Sequence, residues 1–125
     1  MSAAPKAVSD LLIIVKSREI QRGMLAEMQK DRSATTRHFL AAAHLELVLA
    51  SDYSEVGEEE LARRSRVSAA SCLWRAGRPD QARQELESLA REFPAQAAVT
   101  QQVLADLEKD HPPDRPTSDT SPRND

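Results

Sequence analysis

Residues 73–94 read L-W-R-A-G-R-P-D-Q-A-R-Q-E-L-E-S-L-A-R-E-F-P, and the corner G-R-P decides how the chain folds. Gly77 can take the left-handed backbone that ends a helix. Pro79 suits the first turn of the next helix, where its missing N–H has no use. Beyond it Ala82, Leu86 and Leu89 recur at spacings of four and three, the period of a helix with one buried face. Two helices folding back on each other about Gly77 and Pro79 are therefore expected. Pro94 stops the second of them near Glu92 and opens a further helix to about Asp110, with Ala98, Val103, Leu104 and Leu107 apolar.

Upstream there is no proline between Pro5 and Pro79, so the intervening stretch is free to be helical. The helix leading into the Gly77 corner is expected over 55–76. Asp52 and Glu55 make a D-x-x-E start resembling a capping box, and Glu58, Glu59 and Glu60 complement the helix dipole. Glu59 with Arg63 and Glu60 with Arg64 are spaced for i, i+4 ion pairs. Before it, Ser33 is a good N-cap for a helix ending near Ser51, with Phe39, Leu40, Ala43, Leu47 and Val48 inward. The first helix is expected over 6–31. Ile13, Ile20, Met24 and Met28 line one face, while Leu11, Leu12, Val15 and Leu25 widen it. Gly23 inside it either permits a close crossing or marks a break. The fold class is thus all-α, an antiparallel bundle of about five helices filling residues 1–110, with 96–110 as a capping helix. Residues 111–125 hold no large apolar side chain and are expected to be disordered.

Composition agrees with this class and closes off several others. Ala and Leu dominate the apolar content, and the aromatics are Phe39, Tyr53, Trp74 and Phe93 alone. Seventeen basic and twenty acidic residues give a net charge of −3 with no dense basic run, which argues against nucleic acid. Cys72 is the single cysteine and reads as a small buried hydrophobe. The apolar run from Leu11 to Val15 is too short for a secretory core or a membrane span, so a soluble, cytoplasmic protein is expected. His38 and His44 lie six apart, about 120° round a helix from each other, and cannot share a metal as i, i+4 histidines do. His111 falls in the tail. No phosphate loop, nucleophile motif, metal set or cofactor signature is present, and the expectation is no enzyme and no cofactor.

The placing of Ala70, Leu73, Gly77, Ala82, Leu86, Leu89 and Pro94 resembles the second half of a tetratricopeptide repeat (TPR). The frame spans 62–95, close to the 34 residues of that repeat. Arg66 stands where the repeat usually has an aromatic and Ala69 where it has a larger core residue. No second copy lies 34 residues upstream. The resemblance implies a helical hairpin whose first helix faces a partner's peptide or helix with Arg64, Val67, Ser68, Ser71, Trp74 and Arg75. Trp74 beside Arg75 is the chemistry of a binding hot spot, although the same indole could instead close the core against a neighbouring helix. Function is expected to be that of a protein–protein interaction module or adaptor. The alternative is a structural or regulatory homo-oligomer joined through the first helix, whose aliphatic surface exceeds what one neighbour can cover.

Overall fold

The computed structural model describes residues 3–113, with side chains from Val8 onward. It contains five α-helices and, among the described residues, no strand. They are α1 (Ala3–Met28), α2 (Arg32–Glu55), α3 (Glu59–Arg75), α4 (Pro79–Glu92) and α5 (Ala97–Asp110), with a 3-10 turn at Pro94–Gln96 before α5. Each helix packs on the one before it, and α3 also touches α5. The antiparallel sense shows in the cross-helix pairs. Lys16 meets Glu46 between α1 and α2, and Arg66 meets Glu85 between α3 and α4.

Three corners reverse the chain with the same geometry. At the α3–α4 corner Gly77 has φ of 85°, its N–H donates to the carbonyl of Trp74, and that of Arg78 donates to Leu73. At the α2–α3 corner Gly57 has φ of 80°, with Gly57 bonded back to Ser54 and Glu58 to Tyr53. At the α1–α2 corner Lys30 itself takes the left-handed position, φ 60°, with Lys30 bonded to Glu27 and Asp31 to Ala26. This is the Schellman closure, which satisfies carbonyls that the helix end would otherwise leave unpaired.

The helix boundaries correct the sequence reading in two places. Asp52 and Glu55 do not cap α3; they lie in the last turn of α2, which runs on to the Gly57 corner. Asp31, not Ser33, is the N-cap of α2, its carboxylate accepting from the Ala34 N–H at 3.1 Å. The acidic run pairs differently as well. Glu60 bonds Arg63 at i, i+3, at 3.0 and 2.7 Å, and Glu59 reaches Ser54.

The strain at Lys30 gives a direct test. A residue with a Cβ loses about 1 kcal/mol or more in the left-handed region, which glycine avoids. Lys30→Gly is expected to raise stability by about 0.5–1 kcal/mol after the extra freedom of the unfolded chain is offset. Urea unfolding reads it as a higher midpoint at unchanged slope. An unchanged or lower midpoint would show that the Lys30 backbone carries no strain.

The core is built from Phe39, Ala42, Ala43, Ala70, Cys72, Leu73, Trp74, Ala76, Ala82, Leu86, Leu89 and Leu107. Its many alanines let the helices approach closely. Gly23 serves that purpose in α1 and not as a break. A Cβ there would stand 2.7 Å from Cε2 of Phe39, so only glycine lets the ring approach α1 this closely. Cys72 is buried as expected, and burial pushes its thiol up to about 11, which keeps it protonated and unreactive.

Candidate functional site

Helix α3 lies inside the array, with α2 on one side and α4 on the other. The six positions singled out in the sequence fall within about 120° of its circumference at 100° per residue. The structure leaves that sector partly accessible. Arg64 is exposed, and Val67, Ser68, Ser71 and Arg75 are half-buried. Val67 also packs against the edge of the core.

Trp74 departs from the rest, and its expected part as a hot-spot anchor needs correction. The side chain is only 4% exposed and belongs to the core. Its indole N–H donates to the carbonyl of His111, just past α5, at 2.5 Å. The Arg83 guanidinium of α4 stacks 5.0 Å from the ring centre. The indole is therefore closed by α4 and by the end of α5. This contact also fixes His111, so ordered chain continues past residue 110. The rest of the proposed tail, 114–125, lies outside the described residues.

Arg75 bounds the sector on its other edge. Its guanidinium holds Glu27 of α1 through contacts of 2.6 and 3.3 Å and lies 4.7 Å over the Phe39 ring. Around this bridge two adjoining clefts open, of about 340 and 430 Å³. Both are lined by Glu27, Thr36, Arg75 and Gly77; Lys30 edges the first, and Arg78 and His111 the second. That end of the molecule is basic. The opposite end holds an apolar cleft of about 670 Å³ between Val8, Ile13, Tyr53, Val56 and Leu61.

Arg66 explains how the hairpin closes without the usual aromatic. It donates to Glu85 at 2.5 Å and to both oxygens of Glu92, at 2.7 and 3.0 Å, clasping α3 to the middle and the C-terminal end of α4. The bonds from Arg66 hold the Glu92 carboxyl below the usual carboxylate range. Glu19 is lowered likewise, mainly by its hydrogen bond with His38, which lies 2.7 Å away on α2. His38 is thus engaged between helices, and among the described residues no group of side chains could hold a metal ion. No described helix is long and apolar enough to cross a membrane.

No protein-family model, curated protein or solved structure matches the chain.

Sequence reasoning missed the partners that frame this face. Glu27 and Arg75 are 48 residues apart and Trp74 and His111 are 37 apart, and no local pattern joins either pair. Arg66 was visible as a departure from the repeat, but its two carboxylate partners lie on the next helix.

Proposed function

We propose that this chain is a non-enzymatic protein-interaction module in which α3 and α4 form a TPR-like hairpin and the partly accessible sector of α3 receives a segment of another protein. The observation that carries the reading is the sector itself. Arg64, Ser68 and Ser71 stay accessible on a helix otherwise packed on both sides, with Arg75 beside clefts large enough for side chains. Small hydroxyl residues flanked by arginines suit hydrogen bonding to an extended backbone or a polar helix face. The hairpin reading is supported by Gly77 in the left-handed region and by full burial of Ala82, Leu86 and Leu89. A non-catalytic role is supported by the shifted titratable groups. Glu19, Glu60, Arg63, Arg66 and Glu92 are engaged in ion pairs that join or brace helices, and Cys72 is a buried thiol.

A displayed random-peptide library tests this, selected against the native chain and against a Ser68→Arg/Ser71→Arg variant of unchanged helix content. Peptides enriched by the native chain should lose at least tenfold in affinity for the variant. Recovery of no peptides, or of peptides that bind both proteins equally, rejects the α3 face.

A further inference from the structure

The outer side of α1 is more apolar than a solvated helix requires, and its residues follow a pattern with an internal symmetry. Leu11, Arg18 and Leu25 recur every seven residues, as do Ile14, Gln21 and Met28. Together they make the a and d positions of a heptad seam. All six are exposed, Leu11 to 62%, Leu25 to 52% and Met28 to 80%. The residues of α1 that engage α2 are others: Lys16, Glu19 and Gly23. At 100° per residue the seam lies on the far side of the helix from that contact. Only α2 packs extensively on α1, so among the described residues the seam has no partner.

The seam reads alike in both directions. Counting outward from the midpoint between Glu19 and Ile20, Arg18 mirrors Gln21, Ile14 mirrors Leu25, and Leu11 mirrors Met28. We infer that α1 is a self-association surface, on which the α1 of a second copy packs antiparallel about a two-fold axis at that midpoint. In this register each end of the seam becomes two apolar layers, Leu11 on Met28 and Ile14 on Leu25. The centre becomes a polar layer in which each Arg18 meets the carboxamide of Gln21 from the other copy. A polar a or d layer fixes register at some cost in affinity, and here it occupies the one place where the symmetry demands a match. Arg22 beside it is balanced by its own Glu19, 2.8 Å away. At the ends, Asp10 of one copy comes level with Gln29 and Lys30 of the other.

The area suffices. Covering the exposed parts of these side chains and of Val15 on both copies removes on the order of 1,200 Å², the lower end for a specific interface. A two-fold contact needs one patch that complements itself, which is what the mirrored order supplies. A lipid surface fits less well, because Arg18 sits at the centre of the apolar strip and not along its borders.

The test is sedimentation of the full chain over a wide concentration range, with three sets of variants. The native chain should shift from monomer to dimer. Leu25→Glu should weaken the dimer at least tenfold while leaving the thermal unfolding of the monomer in place. Arg18→Leu/Gln21→Leu should tighten it at least tenfold, a gain that misfolding cannot imitate. For register, Leu11→Cys chains mixed with Met28→Cys chains should form a disulfide across copies under mild oxidation, whereas Leu11→Cys chains alone should not; Cys72 is buried and does not interfere. A native chain that stays monomeric at hundreds of micromolar overturns the proposal. So does a dimer indifferent to Leu25→Glu, or cross-linking of Leu11→Cys to itself. A monomer that floats with anionic phospholipid vesicles through the same residues overturns it in favour of a membrane. None of these outcomes depends on Ser68 or Ser71, so the α3 face stands or falls separately.

Discussion

Replacing Trp74 by Ala is expected to destabilise the protein by about 3–5 kcal/mol, a large share of what a domain of this size has to lose. The indole is the largest side chain in the core. Its removal leaves a cavity between α3 and α4, frees the His111 carbonyl and strips Arg83 of the ring it stacks on. Thermal unfolding should fall by about 10 °C or more. Trp74→Phe separates the contributions, since it keeps a ring for packing and for Arg83 but leaves the carbonyl without its donor. It should cost about 1–2 kcal/mol beyond the change in size. Were Trp74→Ala to unfold like the native chain, the indole would not be the closure of the core described above. It follows that Trp74→Ala cannot serve as a binding probe for the α3 face, because a partner lost from a loosened hairpin says nothing about contact.

The second large effect concerns α1 and α2. Glu46 is 1% exposed, and its carboxylate accepts from the Lys16 ammonium at 2.8 Å. Removing the cation by Lys16→Met leaves a buried charge with no counter-charge, a change that costs about 3 kcal/mol or more. Glu46→Met alone should be milder, about 1 kcal/mol, because Lys16 is partly exposed and its long stem can carry the ammonium to water. The double replacement should recover most of the loss from Lys16→Met, since two methionines fill similar space without a charge to satisfy. Urea unfolding of the four proteins forms a double-mutant cycle. Additive single effects would show that the pair is not coupled.

The fold was legible where one residue type does one job. Gly77 with Pro79 announced a corner because glycine tolerates the left-handed backbone and proline tolerates a first turn. Ala82, Leu86 and Leu89 announced a buried face by period alone. The α1–α2 corner was harder to see because a lysine holds the position that glycine usually takes. The α2–α3 corner was displaced by four residues because D-x-x-E resembles a cap, while Gly57, which makes the turn, was passed over. The six positions on α3 came from the resemblance to the repeat, and of these Arg64 is exposed, four are half-buried and Trp74 is buried. Whether Trp74 faced in or out could not follow from spacing. It depends on where α5 ends, and that is set by contacts across 37 residues. Arg66 shows the same limit from the other side. A charge at an expected aromatic position reads as a defect until its carboxylates on α4 are in view.

The packing order of the helices bears on how the protein comes into being. Since each helix rests on its predecessor and, among the described helices, the contact of any extent that skips a neighbour is between α3 and α5, folding needs few distant encounters. A chain emerging from the ribosome can dock its hairpins in the order of synthesis, each new helix finding its support already made. Collapse should therefore be rapid and little hindered by misplaced partners. The reverse path starts at the margins: in the monomer α1 and α5, the outermost helices, should peel away before α2 and α3 and show the faster amide exchange with deuterium.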